Sequence, residues 1–175
     1  NLSSKTEGAF TGQISGNMLR DIGASYSIVG HSECRLQGED DETILNKVHT
    51  ALECELIPIL CVGENQLEYS KGKTEKKIKH QLTENLFPLK SLSNNVLIAY
   101  EPIYAIGSGI AIQNEHLEEV SLLLRDLIKE NLGTDLPLIY GGSVTSESAR
   151  NLAKVEGIDG FLVGNASLDP KEFAN

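Results

Sequence analysis

Glu101 is the residue most plainly placed for chemistry. It follows the apolar run Val96-Leu97-Ile98-Ala99-Tyr100, which has the length and branching of a strand buried on both faces. Pro102 comes next and cannot donate to a ladder, so the strand ends there. A carboxylate at the carboxyl end of a buried parallel strand stands where α/β folds hold their sites, and it can serve as a base. Beyond it lies a small-residue segment, Ala105-Ile106-Gly107-Ser108-Gly109, able to swing over a ligand or to wrap an anion with its amides. A second group, Gly30-His31-Ser32-Glu33, closes another short apolar run and has the composition of a site. Each has a plainer alternative. Glu101 alone fits a solvated strand-to-helix turn, and His31 with Ser32 and Glu33 fits a helix cap with the imidazole satisfied by backbone.

These residues need elements to hold them. Along the chain the order is strand, helix, strand, helix, five times over, with short links and no composition break. Strands are expected at 26–30, 57–62, 96–100, 138–140 and 160–163. A short helix capped by Ser15 or Asn17 runs to Ile22, with Gly23 as its stop. Further helices are expected over 40–55, 73–89 and 115–132, the last capped by Asn114 and stopped by Gly133. Ser146 is expected to cap a helix to about Lys154, and Asp169-Pro170 to open a final one. Residues 1–12 and 65–72 read as loops, and Lys73, Lys76, Lys77 and Lys79 as a solvated helix face. This pattern predicts a parallel α/β domain whose right-handed crossovers bring every strand end to one face. That face receives His31, Glu64, Glu101 and the turns Gly142-Ser143 and Gly164-Asn165. The two turns, each before a helix N-terminus, have the position and glycine content of the phosphate site of eight-stranded α/β barrels.

Composition narrows the partners. The chain has 175 residues, enough for one domain with a sizeable core, and a formal net charge of -10. Nucleic acid and anionic membranes both require a basic footprint, so neither is expected. Acidity says nothing against a phosphorylated small molecule, because backbone amides and helix ends can build its site. Cys34, Cys54 and Cys61 form no metal-ligand spacing and leave one thiol over, which suits a reducing compartment. No apolar run is long enough for a membrane span and no signal segment opens the chain, so a soluble cytoplasmic protein is expected.

The motifs also carry a resemblance. Gly8-Ala9-Phe10-Thr11-Gly12, Gly30-His31-Ser32-Glu33, Ala99-Tyr100-Glu101-Pro102-Ile103-Tyr104-Ala105-Ile106-Gly107-Ser108-Gly109, Tyr140-Gly141-Gly142-Ser143-Val144 and Gly160-Phe161-Leu162-Val163-Gly164 resemble successive motifs of triosephosphate isomerase. They occur in the family's order and span the chain. The resemblance implies an α/β fold, the (β/α)8 TIM barrel, here an incomplete barrel covering roughly strands 4–8 as a single domain over 1–175. The barrel takes its name from this family, so the roles that follow come from the resemblance.

It implies a cofactor-free and metal-free isomerase of glycolysis and gluconeogenesis. Its reaction interconverts dihydroxyacetone phosphate and D-glyceraldehyde 3-phosphate through an enediolate. Glu101 matches the base and His31 the neutral electrophile, with Glu33 a supporting polar residue and Ser32 a residue that helps fix the histidine. The residue types suit those roles. A carboxylate takes a carbon-bound proton when positioned and partly desolvated, and a neutral imidazole donates to a developing enediolate. Ile103, Tyr104, Ala105, Ile106, Gly107, Ser108 and Gly109 match the family's lid, with Tyr104 where the family often has Trp. Gly107, Ser143, Gly164 and Asn165 match the phosphate's amide donors, and Tyr140 with Ser143 the lid latch. The loop carrying Phe10 and Thr11 is similar to one that enters a neighbouring subunit, which implies a homodimer.

Three departures stand out. Asn165 replaces a usual glycine, and Cys34 replaces a usual Arg. The family's first three strand–helix units, with their Asn and Lys, have no counterpart here. The chain opens at Asn1 without a methionine and is expected to be partial. Residues 1–175 alone are accordingly expected to be poorly stable and inactive or weakly active. Two other functions share some of these features: a different phosphate-binding barrel enzyme, and a non-catalytic scaffold derived from the fold.

Overall fold

A computed structural model describes residues 1–106 and 112–174. Gly107, Ser108 and Gly109 lie outside the described residues. Five parallel strands form one sheet in the order β1 (Tyr26–Val29), β2 (Ile57–Val62), β3 (Leu97–Tyr100), β4 (Leu138–Tyr140) and β5 (Gly160–Phe161). The helices are α1 (Gly16–Asp21), α2 (Ser32–Leu36), α3 (Asp41–Glu53), α4 (Gln66–Ser70), α5 (Thr74–Asn85), α6 (Asn114–Leu132), α7 (Ser146–Leu152) and α8 (Pro170–Ala174). This is an α/β fold consistent with part of an eight-stranded barrel.

Alternation along the strands sorts side chains to two faces. Val29, Leu60, Val62, Ile98, Tyr100, Leu138 and Tyr140 join a core with Ile44 and Val48 of α3, Ile78 and Leu82 of α5, and Leu117, Leu124 and Ile128 of α6. On the other face Ile28, Ile59, Leu97 and Ile139 are only half-buried. Helix α6 shows why the apolar period was so legible. Leu117, Val120, Leu124, Leu127 and Ile128 are all buried, and Gly133 closes the helix at φ 75°, a left-handed conformation that costs glycine little.

Several boundaries differ from the sequence expectation. The stretch read as a loop at 65–72 contains α4, closed by a capping box in which Asn65 and Glu68 exchange side-chain and backbone bonds at 2.8 and 2.9 Å. Five residues are too few for periodicity to reveal. Gln113, not Asn114, precedes α6, and it makes no side-chain cap. Thr145, not Ser146, caps α7 through a box with Ser148. Strand β5 is two residues long rather than four, since only Ile139 and Tyr140 pair with it. At the start of the chain Leu2 and Ser3 are buried, and Ser3 N donates to the Ile14 carbonyl at 2.8 Å, so residues 1–12 are anchored at one end.

Candidate active site

Glu101 leaves the end of β3 and is 2% exposed. Its Oε2 accepts from the Ser32 backbone amide at 3.3 Å. Its Oε1 lies 3.2 Å from His31 Nε2, off the line of a hydrogen bond, and is a buried oxygen with no hydrogen-bond partner among the described residues. Burial raises the Glu101 pKa above the ordinary carboxylate value. The His31 ring, the Cys61 thiol, the Ser32 amide and the Arg35 guanidinium oppose that rise. A carboxylate held in this way is more basic than one in water.

The histidine is oriented by the start of a helix. His31 is the N-cap of α2, and its Nδ1 accepts from the Glu33 amide at 3.3 Å. A ring nitrogen that accepts carries no hydrogen, so the neutral imidazole keeps its single N–H on Nε2, the edge facing Glu101. The cap reading and the site reading of His31 therefore hold together. Arg35 fastens the loop from behind, donating from Nε to the Gly30 carbonyl at 2.9 Å and from its two terminal nitrogens to Asp41 and Asn85 at 2.9 and 3.0 Å.

Both side chains line a cavity of about 760 Å³ together with Glu33, Ile106, Ser143, Gly164, Asn165 and Glu172. The glycines of the Tyr140-Gly141-Gly142-Ser143 turn make room for what surrounds them. A methyl on Gly142 would sit 2.1 Å from the Tyr140 hydroxyl, and one on Gly141 would sit 3.0 Å from Glu101 Cγ. Ser143 Oγ donates to the Ala105 carbonyl at 2.5 Å, joining this turn to the segment after Pro102. The Tyr140 hydroxyl lies against the backbone of Ile112, and burial pushes its pKa up to about 12. Ile103, Tyr104 and Ala105 form a single 3-10 turn.

The structure brings together His31, Glu33, Glu101, Ser143, Gly164 and Asn165. Ser32 holds Glu101 through its amide, while the Glu33 amide holds the histidine. Glu64, expected on the site face, is fully buried. It accepts from the Tyr100 hydroxyl at 3.1 Å and from Thr74 Oγ1 at 3.2 Å. Beside it Tyr104 stacks on Tyr69 with ring centroids 4.4 Å apart. Phe10 and Thr11 are exposed and do not line the cavity. Sequence reasoning missed Gly63, Gln81 and Glu172. Gly63 N donates to Gln81 Oε1 at 2.9 Å directly beneath the Glu101 backbone. Only the dipeptide Gly63-Glu64 at a strand end pointed there. Among the described residues, the cavity lining includes three carboxylates and one histidine but no Lys or Arg. No described group of His, Cys, Asp and Glu has the arrangement of a metal site, and no described helix is long and apolar enough to cross a membrane.

Against known families, residues 1–175 match the profile described as triosephosphate isomerase. The chain is 48% identical over 176 residues to the triosephosphate isomerase of Mesomycoplasma hyopneumoniae strain 7448, covering 99% of this chain and 69% of that protein. It is 43% identical over 179 residues to the enzyme of the same name from Acetivibrio thermocellus, covering 99% and 71%. The Francisella philomiragia protein of that name is 37% identical over 180 residues, covering 99% and 70%.

Proposed function

The chain belongs to the triosephosphate isomerase family, and from that premise we propose that Glu101 is the base and His31 the electrophile of the triose phosphate interconversion. The observation that carries this is the pair itself. A buried carboxylate oxygen with no hydrogen-bond partner among the described residues and the Nε2 of an imidazole lie 3.2 Å apart in the lining of one cavity. Glu101 takes a proton from the carbon next to the carbonyl, and that C–H electron pair becomes the carbon–carbon double bond of the enediolate. The carbonyl π pair moves onto oxygen, where the His31 N–H stabilises it. The hydroxyl proton passes from its oxygen to the former carbonyl oxygen, and return of the abstracted proton to the neighbouring carbon completes the exchange of aldehyde and ketone, with nothing oxidised or reduced overall.

Ser143, Gly164 and Asn165 support the phosphate end, where backbone amides bind without a lysine. The exposed loop carrying Phe10 and Thr11 fits a homodimer contact, and we assign the protein to the cytoplasm. The test is Glu101→Asp and His31→Gln, made, as for every turnover assay proposed for this protein, in a chain extended to the full length of its relatives, of which residues 1–175 span about 70%. Each should lower turnover by at least about 100-fold while leaving affinity for sn-glycerol 3-phosphate within about threefold. Undiminished turnover in either variant removes that residue from its role.

A further inference from the structure

Glu172 is the third carboxylate of the cavity, and the chemistry above gives it nothing to do. It stands on α8, and its Oε1 accepts from the backbone amide of Ser146 at 2.7 Å. Ser146 is the first residue of α7, where amides have no partner inside the helix. Thr145 and Ser148 satisfy one another's amides at 3.1 and 2.9 Å, and Glu172 takes the amide between them from outside.

This bond joins two segments that the sheet holds weakly. The Gly142-Ser143 turn runs directly into α7. The Gly164-Asn165 turn runs through one 3-10 turn into α8, whose first amides are met by Asp169 Oδ1. Strand β5 contributes two residues of pairing, and after Leu162 N donates to the Tyr140 carbonyl at 2.8 Å the chain leaves the ladder. Beyond that point the Glu172–Ser146 bond ties the helix behind one turn to the helix behind the other. A negative charge in a cavity meant for a phosphate is otherwise a disadvantage through like-charge repulsion.

We infer that Glu172 is a positioning residue that fixes the spacing of the two phosphate-facing turns and so sets substrate affinity without taking part in proton transfer. This rests on the assignment of those turns to the phosphate. Two effects of Glu172 oppose one another, which makes the test sharp. Glu172→Ala loses the tie, and KM for the triose phosphate should rise about tenfold with kcat within about threefold. The dissociation constant for sn-glycerol 3-phosphate, which carries the phosphate but no carbonyl, should rise in the same proportion. Glu172→Gln keeps an acceptor and drops the charge, so its affinity should match or exceed that of the parent. Glu172→Asp keeps the charge one methylene short of the Ser146 amide and should follow the alanine variant, a second route should alanine not fold. If Glu172 were only a nearby charge, Ala and Gln would both tighten binding, and that result overturns the inference. An unchanged dissociation constant in folded Glu172→Ala, or a fall in kcat with KM constant, overturns it equally. The titration needs no turnover, so its outcome stays separate from that of the Glu101 and His31 variants.

Discussion

Gly63 is the position where the smallest possible change should have the largest effect on chemistry. A methyl added there would stand 1.9 Å from the Glu101 carbonyl oxygen and 2.5 Å from its carbon. Such contacts do not fall below 3.0 Å, so relief requires the two strand ends to part by at least 1.1 Å, from 1.9 to 3.0 Å. Neither side has slack. Gly63 N is bonded to Gln81, Glu101 N donates to the Val62 carbonyl at 2.7 Å, and Ile103 N donates to the Glu64 carbonyl at 3.0 Å. The displacement therefore passes into the backbone that carries Glu101, the proposed base. A misplacement of about 1 Å costs on the order of 100-fold in rate, or about 2.7 kcal/mol of transition-state stabilisation. Gly63→Ala should show that loss in kcat in a coupled turnover assay, while sn-glycerol 3-phosphate titrates almost as in the parent and circular dichroism reports an intact fold. A folded variant whose kcat falls by less than about threefold would show that the close approach has no bearing on where Glu101 sits.

Two further outcomes concern the buried acids. Glu101 holds its proton more tightly folded than unfolded, so as pH climbs above the ordinary value of 4.5 the native state keeps protons that the unfolded state has already lost, and stability falls across that window. Glu101→Gln should therefore melt higher than the parent above the window and equal to it below, and a difference independent of pH would contradict this. Tyr100→Phe takes one donor from the fully buried Glu64, whose Oε1 also lies 3.6 Å from His116 Nε2, and should cost about 1–3 kcal/mol in denaturant unfolding, whereas an unchanged midpoint would mean that Thr74 and His116 suffice.

The architecture was legible because buried parallel strands are written as continuous apolar runs. Residues 57–62 kept both expected ends, and α6 announced itself through five buried residues at helical spacing. Glu101 and His31 were legible because each directly follows such a run. What the sequence concealed lies at shorter range or at longer range than periodicity can register. Helix α4 depends on one reciprocal cap between Asn65 and Glu68. The placement of Glu64 depends on where the chain turns after Gly63, and that turn sends the carboxylate toward Tyr100 instead of the cavity. Glu172 reaches Ser146 only because α8 folds back beside α7, and nothing in Lys171-Glu172-Phe173 announces a partner 26 residues away. Asn165 lines the cavity at the position where the family it resembles usually has glycine.

The imidazole that begins α2 serves two masters with its two edges. One nitrogen completes the first turn of a helix and the other faces the Glu101 carboxylate. Few replacements can do both, since an amide side chain able to imitate one edge lacks the rigid ring that sets the second at a fixed angle to it. Substitution at position 31 is thus constrained by folding and by chemistry at once, and mutational tolerance there should be narrower than either demand alone would impose.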